Sequence, residues 1–174
     1  MTKKYSIIIP IYNEEKRLEK LFHEISIISN DKFFFRKTEI ILVNDGSNDK
    51  SFFLIKNFIK KKNKHVNLRF INIKINSGKG FAIKKGIMIA KNEWIFTIDA
   101  DLSVNFNQIK EWFEKYKLKS NCAYFGSRLL KTSVVKTKII RHIVRIILRV
   151  LVYVLIDKRI KDTQCGFKIG RAHV

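Results

Sequence analysis

Five short apolar runs, each closed by turn-forming or charged residues and each followed by a helical pattern or a further turn, constrain this chain more than any other feature. Tyr5 to Ile11 (YSIIIPI) is apolar almost throughout, as strands covered on both faces are. Glu39 to Val43, Val66 to Ile73, the run from Trp94 and Cys122 to Phe125 repeat the pattern. Between the first two, Leu18, Leu21, Phe22, Ile25 and Ile28 recur at helical spacing. Phe52, Ile55, Phe58 and Ile59 do so after the second, and a helix is predicted from Gly80 to about Ala90 after the third. Phe106, Ile109, Trp112, Phe113 and Tyr116 mark one after the fourth. This alternation predicts right-handed crossovers and an α/β fold, an open, mostly parallel sheet with helices on both faces. The chain, at 174 residues, is long enough for one domain with a real core.

In such sheets ligands bind beyond the carboxyl ends of the strands. Asn13-Glu14, Asp45, Gly78-Lys79-Gly80, Asp99 with Asp101, and Arg128 all fall at strand exits. Within Trp94 to Ser103, the apolar run ends in two carboxylates, Asp99 and Asp101, separated by one residue. If the chain stays extended there, Asp99 and Asp101 share a side, because side chains alternate with period two. Two hard oxygens so placed suit Mg²⁺ or Mn²⁺. The turn after the first strand has no Gly-x-Gly-x-x-Gly, and Gly78-Lys79-Gly80 lacks the spacing of a P-loop. A dinucleotide fingerprint and a Walker motif are therefore both absent. A nucleotide whose phosphates are held by a metal on Asp99 and Asp101 is the reading that remains.

The formal charge is +21, from 36 Lys+Arg against 15 Asp+Glu. No zinc spacing, helix-turn-helix signal or aromatic RNA-binding motif accompanies it, so no nucleic-acid partner is expected. Runs such as Lys60-Lys61-Lys62 read as solvated surface. Cys122 and Cys165 form no pattern and no signal peptide is evident, which predicts reduced thiols in a cytoplasmic setting.

The ordered set resembles the family 2 glycosyltransferases of GT-A fold. It is carried by Ile7-Ile8-Ile9-Pro10 with Tyr12-Asn13-Glu14, Val43-Asn44-Asp45-Gly46-Ser47 with Asp49, Asn76 to Gly80, and Asp99-Ala100-Asp101-Leu102-Ser103. Gly126-Ser127-Arg128 and Asp162 to Lys168 (DTQCGFK) resemble the dolichyl-phosphate β-glucosyltransferase branch, next to the dolichyl-phosphate mannose synthases. The resemblance covers residues 5 to about 168. It implies that Pro10, Tyr12 and Glu14 line base and ribose, and that Val43 and Asp45 contact the base. It further implies that Lys79 and Ala100 join the nucleotide site, that Asp99 and Asp101 handle ribose, diphosphate and metal, and that Arg128 grips donor or acceptor phosphate. Ser103 stands where some relatives carry a metal-holding Gln. The implied reaction is inverting transfer of a hexose, glucose from UDP-glucose, to a polyprenyl or dolichyl phosphate. A saccharide hydroxyl as acceptor and GDP-mannose as donor remain alternatives.

Ile139 to Ile156 (IIRHIVRIILRVLVYVLI) places Arg141, Arg145 and Arg149 on one helical stripe in an otherwise apolar segment. A helix lying in the membrane interface is expected there, arginines towards lipid phosphates, with the protein peripheral on the inner, cytoplasmic face. Arg141 also suits the acceptor-phosphate site. The last six residues, Ile169 to Val174, break the pattern and match the in-frame translation of a common sequencing-library adapter. The expectation is a single catalytic domain over residues 1–168, cut short at its C-terminal side, with 169–174 a non-native tail and His173 without a role.

Overall fold

The computed structural model describes residues 4–31, 38–61, 67–115, 119, 122–126 and 166–171. Strands β1 (Tyr5–Ile11), β2 (Thr38–Asp45), β3 (Asn67–Ile73), β4 (Trp94–Thr97), β5 (Tyr124–Phe125) and β6 (Lys168–Arg171) form one sheet in the order β3-β2-β1-β4-β6-β5. The helices are α1 (Glu15–Ser29), α2 (Ser51–Lys61), α3 (Lys79–Ile89) and α4 (Phe106–Lys115). β1 runs parallel to β2 and β4, and β2 to β3, while β6 is antiparallel to both β4 and β5. The expected open, mostly parallel α/β sheet is the one found.

Alternation along the strands sorts the core into two clusters. Ile7, Ile9 and Ile11 join Ile40, Leu42 and Phe96 under α1, α2 and α4, whose Leu21, Ile25, Ile55 and Phe106 complete that face. Ile8, Ile41, Val43 and Ile95 face the other way, against Ala82 of α3. Small residues let α3 sit close: a Cβ on Gly86 would meet the Ile8 side chain at 2.5 Å. Each fully buried Ile contributes roughly 1.5–3 kcal/mol by leaving water. The isoleucine-rich β1, paired on both edges, is the centre of the fold.

The chain adds β1, β2 and β3 outward in one direction, then returns to the other side of β1 with β4. Strand order reverses there, so a crevice opens beyond the ends of β1 and β4. The ladder between them stops early. Its register ends at Ile8 opposite Thr97, with one more bond from Ile98 N–H to Ile8 O at 3.1 Å. Pro10 lies two residues on and is turned the same way as Ile8, so without an N–H it offers no donor for a further rung.

Three boundaries depart from the sequence reading. β2 continues past Val43, because Asn44 and Asp45 pair in register with Asn72 and Ile73, and Asn44 Nδ2 donates to Asn72 Oδ1 at 2.7 Å. The turn comes at Gly46, whose φ of 67° suits glycine. β4 ends at Thr97, and Asp99 to Leu102 form a turn in which Leu102 N–H donates to Asp99 O at 3.2 Å. The extended geometry expected for Asp99 and Asp101 is thus replaced by a turn. β5 is shorter than Cys122 to Phe125, and it does not follow β4 across the sheet. Lys168–Arg171 comes between them as β6, with Ile169 buried. Main-chain pairing needs no periodic pattern, so this strand has no signature in the sequence. Among the described residues no helix is long and apolar enough to cross a membrane. The segment 139–156, with Arg141, and Arg128 lie outside the described residues.

Candidate active site

The β1 exit is built by hydrogen bonds to the β2–α2 loop. Asn13, with φ of 53°, accepts from Asn48 N–H through Oδ1 at 2.8 Å and gives its own N–H to Ser47 Oγ at 3.0 Å. Glu14 N–H donates to Ser51 Oγ at 2.9 Å, and Glu15 N–H to Asp49 Oδ2 at 3.0 Å. Burial alone would raise the Asp49 carboxyl, but the Ser51 hydroxyl and the N–H groups of Ser51 and Glu15 hold it below its ordinary value. These bonds place Tyr12 half-exposed at the crevice, while Glu14 holds Arg17 at 2.7 Å.

The second wall comes from the ends of β2 and β3. Asp45 is buried, and its carboxylate accepts Ser77 N–H at 3.0 Å and Asn76 Nδ2 at 3.3 Å. Asn76 Nδ2 also reaches Asp45 O at 3.1 Å, which locks the β3–α3 loop against β2. The loop packs so closely that a Cβ on Gly46 would lie 2.7 Å from the Ile75 carbonyl carbon. Gly78 then turns the chain with φ of 88° and starts α3 without a side-chain cap. The first-turn N–H groups and Lys79 therefore give this wall a positive character suited to phosphate.

Asp99, Ala100 and Asp101 form the third wall. Lys79 Nζ sits 2.5 Å from Asp99 Oδ1, and both side chains keep solvent contact. Asp101 Oδ1 accepts Ser103 N–H at 2.9 Å. Gly166 closes on Asp99 from the start of β6: a Cβ there would lie 2.6 Å from Asp99 Cγ. Thr97 Oγ1 holds Gly166 O at 3.4 Å, and Gly126 N–H donates to Phe167 O at 3.0 Å. Among the described residues, nothing donates a hydrogen bond to Asp99 Oδ2 or Asp101 Oδ2. No group of three or more His, Cys, Asp or Glu suited to a metal occurs among the described residues. Two carboxylates nevertheless fit Mg²⁺ or Mn²⁺, since such ions take one or two carboxylates and complete their shell with substrate phosphate and water.

The walls enclose a cavity of about 400 Å³ lined by Pro10, Ile11, Tyr12, Glu14, Asp45, Asn76, Gly78, Lys79, Asp99, Ala100 and Asp101. Pro10, Tyr12, Glu14, Asp45, Lys79, Asp99, Ala100 and Asp101 were expected at a nucleotide from the sequence. Val43 is not in the lining: its side chain is fully buried with Ile8 and Ile41 beneath α3. Ser103 is absent from the lining too, and meets Asp101 through its main chain. Asn76 and Gly166 were not singled out as site residues. Their signal was present, Asn76 in the strand-exit motif and Gly166 in DTQCGFK, but their contacts span 31 and 67 residues of chain.

A family model described as Glycosyl transferase family 2 matches residues 6–173. The chain is 33% identical over 176 residues to the dolichyl-phosphate beta-glucosyltransferase of Dictyostelium discoideum, covering 94% of this chain and 53% of that protein. It is 32% identical over 185 residues to the Homo sapiens protein of the same name, covering 97% and 55%. The chain thus spans about half the length of the curated relatives it matches. Among solved structures, S. aureus TarS 1-349 in complex with UDP-GlcNAc superposes with a TM-score of 0.52 at 25% identity, over 62% of this chain and 29% of that one. Mannosyltransferase PcManGT from Pyrobaculum calidifontis, in complex with GDP-Man and Mn²⁺, gives 0.51 at 21% identity, over 58% and 28%. The latter likeness is one of fold, GT-A.

Proposed function

The chain belongs to glycosyltransferase family 2, and from that premise we propose that it moves a hexose, glucose from UDP-glucose, to a polyprenyl phosphate. The observation that carries this reading is the cavity itself, with two carboxylates on one wall and Lys79 with the start of α3 on another. That pairing suits a sugar diphosphate. Tyr12, Pro10 and Asp45 bind base and ribose. Lys79 leaves Asp99 for the diphosphate. Asp99 and Asp101 hold a divalent cation, Mg²⁺ or Mn²⁺, which when bound neutralises charge on the leaving group.

The relatives' names support a lipid-phosphate acceptor. A phosphate monoester has a second pKa of about 6, so its attacking oxygen is already anionic near neutrality and needs no strong general base. The oxygen attacks the anomeric carbon, the bond to the diphosphate breaks, and a β-linked lipid-phosphate sugar results from an α-linked donor. Arg128 and Arg141 hold the acceptor phosphate, where a planar guanidinium suits two oxygens at once. The protein works as a peripheral enzyme at the cytoplasmic face of its membrane, with 139–156 lying in the interface.

The test is transfer by the full-length protein from radiolabelled UDP-glucose, UDP-GlcNAc and GDP-mannose to polyprenyl phosphate, with and without a chelator. UDP-glucose should give a labelled lipid, and the chelator should abolish it. Transfer to a saccharide alone would overturn the acceptor; preference for GDP-mannose would overturn the donor.

A further inference from the structure

Among the described residues, exposed apolar side chains are not spread evenly. Tyr12 follows β1, Phe53 opens α2, Ile75 follows β3, Phe81 opens α3 and Phe125 ends β5. All five stand at the end of the sheet where the strands stop, and Tyr12 also lines the cavity. The exposure is large: 64% for Phe53, 78% for Ile75 and 50% for Phe125. Among the described residues, Ile27 and Met88, near the last turns of α1 and α3, are the large apolar residues exposed at the opposite end. Phe53 and Lys74 line one shallow depression, which joins the first turn of α2 to the loop carrying Ile75. Lys85 Nζ lies 5.2 Å from the Phe81 ring centroid, so cation and aromatic share one surface. From Lys74 to Asn92 the chain has five lysines and no acid.

We propose that this rim is the surface on which the protein docks to an anionic phospholipid bilayer, with Phe53, Ile75 and Phe81 entering the headgroup layer. Apolar side chains interleaved with lysines are what a negatively charged interface binds. A soluble ligand would take the cavity and leave the rim wet. Among the described residues, the acidic side chains at this end line the cavity or are held in its loops, as with Asp99 to Lys79 and Asp49 to the turn of α2. The outer rim therefore meets the bilayer with lysines. Docked this way, the cavity mouth faces the lipid plane, and a lipid phosphate reaches the sugar without its chain leaving the membrane. This deepens the lipid-phosphate reading and rests on it.

The experiment is co-sedimentation of full-length protein with vesicles of phosphatidylcholine and phosphatidylserine, 7:3, without donor or acceptor. Phe53→Ser, Ile75→Ser and Phe81→Ser combined should lower partitioning about tenfold. Ile75→Ser alone, in a loop and too exposed to disturb folding, should lower it severalfold. Ile27→Ser with Met88→Ser should leave it unchanged, and 0.5 M salt should weaken wild-type binding. Turnover of a short, water-soluble polyprenyl phosphate should survive in the triple variant, while turnover of a long-chain acceptor in vesicles falls. Wild-type partitioning by the triple variant, or equal loss in the Ile27/Met88 variant, overturns the proposal. So does a wild-type dimer that the triple variant dissolves, since the rim would then serve a second copy. Absence of any transfer with rim-dependent vesicle binding would instead remove the acceptor reading and leave the docking surface.

Discussion

The two ends of the sheet treat a carboxylate in opposite ways. At the end where the strands begin, Glu39 is completely buried, and protein groups meet both its oxygens. Ser6 Oγ and Lys91 N–H donate to Oε1, each at 2.5 Å, and Arg69 approaches Oε2 at 3.4 Å. Arg69 also donates to Ile89 O, and Asn92 ties in Tyr5 O at 2.9 Å. At the end where the strands stop, Asp99 meets one cation and Asp101 one N–H among the described residues, each through a single oxygen. An acid saturated by its own protein holds strands together; an acid with unused acceptor capacity is available to a ligand. Burial alone does not separate the two, since Asp45 is also buried yet lines the cavity.

Substitutions can break or sharpen this contrast. Asp101→Asn and Asp99→Asn should each lower kcat about 10³-fold, the scale of losing one electrostatic contact to the developing charge, with Tm unchanged. Retained transfer in both would end the distinction. Glu39→Ala should do the reverse. Removing one partner of a buried pair costs about 3 kcal/mol in chemical denaturation, while kcat per folded molecule stays near wild type. Gly166→Ala tests the spare oxygen itself: its Cβ displaces the Asp99 carboxylate, and kcat/KM should fall about tenfold or more at nearly constant stability. The smallest effect belongs to Asp49. Its carboxyl is held below the ordinary 3.8, so it stabilises the fold above that pH and ceases to as pH falls through the lower folded value. Asp49→Asn should flatten that acid-side slope by less than about 1 kcal/mol, read from urea midpoints between pH 5 and 2.

The centre of the sheet was legible because β1 and β2 are buried runs rich in Ile and β4 is a buried run with two aromatics. The cavity was legible in its residues because the motifs sit at strand exits, where the topology gathers them. What escaped was contact between distant segments. Glu39 reads as the first residue of a strand, and its partners lie 30 to 52 residues away. β6 has four residues and one buried apolar side chain, Ile169, so pairing with β4 leaves nothing periodic to find. The turn at Asp99 was hidden for a different reason. Leu102 takes a φ of 55°, a conformation that leucine does not advertise.

Pro10 has a further consequence for the lifetime of the site. A sheet gap between two parallel strands is a place where a ladder could lengthen by zipping, since each added bond would lower the free energy of the empty enzyme. With no donor to give toward β4, Pro10 removes the next rung beyond Ile98. Pro10 thus keeps the cavity from closing into more sheet. The same vacancy denies a docking point to any foreign strand that would add itself there.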